Sequence, residues 1–456
     1  MSNRPSMVTL GLVLTGIVLL LSTSTCVEAA SATWSQTYGG PYPDKAYAMV
    51  KTSDGGYVLT GTTNSFGSGI VNAWLVKTDT DGVMQWNQTY SGLEQGISDT
   101  LTQTSDGGYA LGGYTYSIDE GGIYAWLVKT DAEGNLSWNS TYGELGTAIA
   151  YGITQTSDGG YALVGASNTI GAGQSDGWLA KISSTGELEW YQTYGADQND
   201  AVYSVVQTSD GGYALAGDSD SYGSGQANLW LIKTDSSGAV QWNQTYGGAN
   251  NYISSTLIPT SDGGFALAGT VQIGNANRFV LFKTDSSGEE QWTQTYSGTV
   301  TSDNLNGIQT SDGGYALVGV TDSADPAQTK ALLVKTDSSG VQQWNQTIGE
   351  SGQNVLGAVV QNSDGTYTLG GYTNATGSGQ GDFWLVKTDA NGAVTLPTTT
   401  PTPTPTIAPT ATNSPSPSPS PQPEEGFPTW MNILIFVVVF LVVAAVIGFV
   451  LQRRRK

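Results

Sequence analysis

The 456-residue chain contains no histidine, one cysteine and few basic groups: 16 Lys and Arg against 38 Asp and Glu. Without histidine, a Ser-His-Asp triad, a Cys-His dyad and a histidine-ligated metal are excluded. The single cysteine, Cys26, rules out an intrachain disulfide and a cysteine-held zinc. The net charge of −22 repels phosphate backbones, so nucleic acid is not an expected partner. Charged residues make up only 12% of the chain, with 61 glycines and 10% aromatics, a turn-rich β composition rather than an acidic disordered one.

The two ends predict where the chain resides. Arg4 precedes the uncharged run 7–21, followed by small residues through Ala32, so 1–32 is expected to be a secretory signal peptide. Lipidation at Cys26 and an uncleaved anchor remain alternatives; Thr23-Ser24-Thr25 suits the first poorly, and the run is short for the second. Met431 to Leu451 is 21 residues without a charge, bounded by Trp430 and by Arg453, Arg454, Arg455 and Lys456. A transmembrane helix over 430–452 with a cytoplasmic basic tail at 453–456 is therefore expected. The segment 397–429 is a Pro/Thr/Ser-rich stalk: 22 of the 27 residues from Pro397 to Pro423 are of those three types, which cannot bury apolar surface. The plan of signal, ectodomain, stalk, helix and basic tail resembles that of archaeal membrane-anchored surface proteins. It implies an extracellular ectodomain.

Between the ends, one unit recurs seven times. Ser-Asp-Gly-Gly places its aspartate at Asp54, Asp106, Asp158, Asp210, Asp262 and Asp312, with Asp364 in a variant copy; the spacings are 52, 52, 52, 52, 50 and 52. Trp-x-Gln-Thr-Tyr and looser versions place tryptophans at Trp34, Trp86, Trp138, Trp190, Trp242, Trp292 and Trp344. A third marker ends in Lys77, Lys129, Lys181, Lys233, Lys283, Lys335 and Lys387. Within one period, Val202 to Gln207, Tyr213 to Gly217, Leu229 to Lys233 and Val240 to Tyr246 read as four short strands joined by Asp/Gly turns. Four strands repeated seven times predict an all-β, seven-bladed β-propeller over 33–396. The first tryptophan unit precedes any first strand, and the seventh copy runs into proline after its third. The N-terminal strand should therefore close the last blade and remove an exposed edge. Pro259 is tolerable in a first strand whose free edge faces the channel, which places Lys51, Gln103, Gln155, Gln207, Gln309 and Gln361 near one end of that channel.

The strand, Asp-Gly turn, Tyr-x-Leu-x-Gly strand and Lys-Thr-Asp-x-x-Gly-x-x-x-Trp order resembles the blades of pyrroloquinoline-quinone-type (quinoprotein-like) propellers over 33–396, including their docking tryptophans. The resemblance implies the propeller fold. The turn Asp235 to Gly238 is one residue shorter than that family's, and no quinone-binding residue carries over, so no cofactor is expected.

The turns repeat closely and read as structural. Asp79-Thr80-Asp81-Gly82 has oxygen spacing suited to calcium, but Ser183-Ser184-Thr185-Gly186 at the equivalent place makes a hairpin turn the simpler need. The seven lysines are expected to form structural ion pairs or pack by their stems. The connections on the other face vary and carry acids and aromatics such as Asp44, Asp99, Asp200, Tyr114 and Tyr222, opposed by Lys45, Arg278 and Lys330. A glycan, cell-wall or protein ligand is expected there, on a monomer. Asn-x-Ser/Thr sequons at Asn87, Asn135, Asn139, Asn243, Asn345 and Asn374 are glycosylation candidates, Asn374 foremost because it lies in a loop. No catalytic or metal-ligating residue is singled out. The function expected is non-catalytic binding, adhesion or an envelope role, with an extracellular polysaccharide-active or quinoprotein-like enzyme as the alternative.

Overall fold

The computed structural model describes residues 33–394, apart from 69, 118–120, 225, 297, 299, 302–304, 322–324, 326 and 378. The expected signal peptide (1–32), stalk (397–429), transmembrane helix (430–452) and basic tail (453–456) lie outside the described residues. Among the described residues no helix is long and apolar enough to cross a membrane.

Twenty-eight strands form seven antiparallel four-stranded sheets. Six sheets are local meanders, over 44–90, 95–142, 148–194, 200–246, 252–295 and 306–348. In the fourth, strands A to D are Asp200–Gln207, Tyr213–Ser219, Asn228–Thr234 and Val240–Tyr246. The seventh joins 354–387 to the N-terminal strand Trp34–Tyr38, with Trp34 opposite Lys387 and Tyr38 opposite Phe383. The expected closure is present. The A strands of successive sheets touch around the whole ring, so they line the central channel.

The hydrophobic core lies between blades. Strands B and C are buried on both faces (Tyr57–Thr63 and Asn72–Thr78 throughout), which is why they read as nearly continuous apolar runs. Each D-strand tryptophan crosses to the next blade. The Trp190 ring lies 6.1 Å from Tyr213, and a Cβ on Gly238 would sit 2.7 Å from that indole. Gly238 also has φ +81°, so the turn needs glycine for both space and conformation. The Tyr194 hydroxyl then donates to the Gly238 carbonyl at 2.8 Å. The indole-on-glycine contact recurs at all seven junctions, and the hydroxyl bond at six; Ile348 stands in the seventh.

Pro259 ends its A strand opposite Phe265, in register with Lys51, Gln103, Gln155, Gln207, Gln309 and Gln361. Five of those glutamines have a use the sequence did not disclose. The side-chain carbonyl of Gln207 accepts from the Ser157 N–H of the preceding blade at 2.7 Å, and Gln103, Gln155, Gln309 and Gln361 do likewise. The signal was present, since glutamine stands immediately before Thr-Ser-Asp-Gly-Gly in four of the seven copies.

Candidate functional site

Most of the repeated polar residues serve the scaffold. Each C-strand lysine pairs with the A–B turn aspartate of its own blade, at 2.7–2.9 Å in six blades and 3.4 Å for Lys387 with Asp364. Six of the lysines are buried and Lys387 is partly so, while the aspartates lie at the surface. Asp106 also accepts from Thr104 Oγ1 and Gly108 N–H. Partial burial raises its pKa, but these donors outweigh it and hold the carboxyl at about 2; Asp54, Asp158, Asp262 and Asp312 are held likewise. In the C–D turns, Asp79 accepts from the Asp81 and Val83 N–H groups, and Ser183 does the same work in blade three.

The variable face departs from expectation. Asp44, Asp200, Asp218 and Asp382 lie within strands rather than loops, and all four are buried. Asp44 accepts from Gly40 N–H at 2.8 Å and from Thr63 Oγ1, while Asp200 accepts from Ala196 N–H at 3.0 Å and Ser221 Oγ at 2.6 Å. Asp44 and Asp200, with Asp382, which accepts from Gly379 N–H at 3.3 Å, brace the connections from inside.

The sequons all lie at exposed asparagines, four of them on D strands. Asn87, Asn139 and Asn243 accept from the indole N–H of Trp74, Trp126 and Trp230 at 3.1, 3.4 and 3.2 Å. Ser35 replaces them beside Trp384. In blade three Tyr191 occupies the place, and the buried Trp178 Nε1 has no partner. Asn345 lies in the blade in which Leu332 replaces the tryptophan, on the strand paired with that of Leu332. Asn135 donates to Asp131, and Asn374 accepts from Gln353 N–H at 2.6 Å.

One layer breaks the sevenfold pattern. Six A strands carry a bulge after their third or fourth residue, and each bulge leaves one residue outside the ladder: Tyr47, Asp99, Tyr151, Tyr203, Ser255 and Gly357. This layer lies on the innermost strands, in the half of the channel nearer the variable connections. The rings of Tyr151 and Tyr203 meet at 5.2 Å across blades three and four. Tyr47 packs edge-on to Tyr372 at 6.4 Å, and Lys45 Nζ lies 5.1 Å over the Tyr372 ring. Asp99, on the A strand Gln95–Gln103, is half-buried between them. Burial pushes its carboxyl up to about 7. Burial first, then the Asp99 and Asp218 charges, push Tyr151 up to about 12; burial and the Asp99 charge also raise Tyr114 and, against a hydrogen bond with Thr62, Tyr47. Burial lowers Lys45. Tyr47, Tyr114 and Tyr151 are therefore neutral hydroxyls, and the acid is poised near neutrality. Only register identifies this layer: without the bulge, the period-2 pattern would assign these side chains to the wrong face.

No protein-family model matches the chain, and no curated protein matches it. Solved structures of similar shape include the Pan2 WD40 domain of Neurospora crassa (10% identity, 76% of this chain and 89% of that one, TM-score 0.45). Others are Chaetomium thermophilum Sqt1 (12%, 80% and 85%, TM-score 0.45) and the NanB sialidase of Streptococcus pneumoniae (9%, 79% and 70%, TM-score 0.40). At such scores the blade count rests on this chain's own strand pairing.

Proposed function

We propose that the chain is a non-catalytic binding propeller of quinoprotein-like repeat type, held outside the cell by the 430–452 segment on the 397–429 stalk, in the manner of archaeal surface proteins. One contrast carries this reading. Turn acids and lysines repeat because they pair within each blade, and docking tryptophans and glutamines because they join one blade to the next, whereas the channel layer of Tyr47, Asp99, Tyr151 and Tyr203 differs from blade to blade. Residues freed from the scaffold and gathered in a concave place are where a ligand is recognised. A membrane-impermeant amine label on intact native cells should mark Lys51 and Lys330 but not Lys456. Labelling of all three only after lysis would overturn the placement.

The competing reading is an extracellular enzyme, favoured by the Asp99 carboxyl held at about 7, the range of a general acid. Polysaccharide turnover that disappears in Asp99→Asn would carry that reading instead.

A further inference from the structure

We infer that the bulge layer of the channel binds an organic ammonium group, with Asp99 as counter-ion and the tyrosines as walls. This rests on the binding reading above and names its ligand class. Asp99 has neither a hydrogen bond nor an ion pair among the described residues, although every A–B turn aspartate has a lysine and each C–D turn aspartate takes backbone N–H groups. A carboxylate set among side chains, without a donor facing it, is costly for the fold and is compensated by a cation that arrives.

The walls fit the same class. Tyr47 on Asp44–Lys51 and Tyr151 on Ala148–Gln155 stand on the A strands that flank the Asp99 strand, and Tyr114 on Tyr109–Ser117 stands on the strand paired with it, so three phenol-bearing strands surround the acid. Burial and the Asp99 charge raise all three hydroxyls. Aromatic faces attract cations, and most strongly where water is excluded. The protein already makes this contact once, with Lys45 Nζ over Tyr372. An ammonium bearing alkyl groups satisfies both ring and carboxylate, whereas a hydrated metal ion gains little from the rings. The chain's net charge of −22 draws cations toward the ring as a whole.

The titratable groups around Asp99 are Tyr47, Tyr114 and Tyr151, with Asp218 beyond Tyr151 and Lys45 beside Tyr372. The tyrosines stay neutral through pH 8, so Asp99 sets the pH dependence. Binding should strengthen about tenfold from pH 6 to pH 8 as its carboxylate fraction rises.

The test is calorimetric titration of the purified full-length chain with tetramethylammonium chloride against sodium chloride of equal ionic strength. Saturable one-to-one heat is expected with the first alone. Asp99→Asn should weaken it at least tenfold, and Tyr151→Phe, which keeps the ring, should leave it within about twofold. Asp99→Asn should also raise the melting midpoint at pH 8, so that lost binding is not lost folding. No saturable heat, equal binding by Asp99→Asn, or saturation by glucose in place of the ammonium would each overturn the inference. The surface-labelling result would be unaffected by any of the three.

Discussion

Lys129 is buried and its partner Asp106 is not, so the pair holds a charge that the fold has taken out of water. The lysine also donates to the Thr130 carbonyl at 2.6 Å, which fixes its head at the blade rim. Asp106→Ala should cost about 1–2 kcal/mol in urea unfolding, because it strands a buried ammonium at a site that remains partly screened. The pH dependence follows from the same pairs. Five turn carboxyls titrate at about 2 when folded, below their ordinary value, so their stabilisation is complete above that ordinary value. It is lost as pH falls through about 2. Asp99 has the opposite sign. Its folded value of about 7 lies above the ordinary one, so a penalty is absent below about pH 4, grows between, and is full above 7. Melting midpoints should therefore peak between about pH 4 and 6 and fall on both sides. In Asp99→Asn the alkaline decline should shrink while the acid decline persists. Midpoints that stay level between pH 4 and pH 2 would refute the turn assignment.

At the scale of the strand, the outer asparagine and the inner tryptophan form a pair in blades one, two and four. Where the asparagine is present the indole N–H is satisfied, and where Tyr191 takes its place the Trp178 N–H is buried without a partner. Tyr191→Asn should recover that bond and raise stability by about 1 kcal/mol in a host without N-glycosylation. No gain, or a loss, would mean that the Tyr191 ring contributes more by packing. The recurring Asn-Gln-Thr thus has a structural reason at Asn87 and Asn243 that is independent of any glycan. Comparing blades within the one chain could have shown this: Ser35 stands at the asparagine place of the strand that faces Trp384. Strands and turns were legible because alternation, Asp-Gly turns and a near-constant period all point the same way. Bulges were not, because one unpaired residue leaves no compositional trace, and so Asp99 and Tyr114 read as loop residues when they belong to the inner strands.

The ring as a whole depends on a strand borrowed from its own beginning. Deleting 34–38 removes the partner of Asp382–Lys387, the indole that sits on Gly82 and the acceptor for Trp384 Nε1. The truncated chain should elute as aggregates and melt well below the intact chain, since it exposes a full edge as well as two blade faces. A monomer of unchanged midpoint would show that closure is dispensable. The blade number and this closure were readable from where the markers start and stop. The channel chemistry was not, because it depends on side chains from five blades meeting in space.

The closing strand also sets a timetable. Ser35 and Trp384 are 349 positions apart, so the N-terminal strand has no partner until nearly the whole ring has been made. At about 5–20 residues per second, that wait is roughly 20–70 s of synthesis. Throughout it, every finished blade has a face but the ring has no last wall. A messenger cut short before residue 382 therefore yields, however well its early blades fold, a chain whose first strand has no sheet to join.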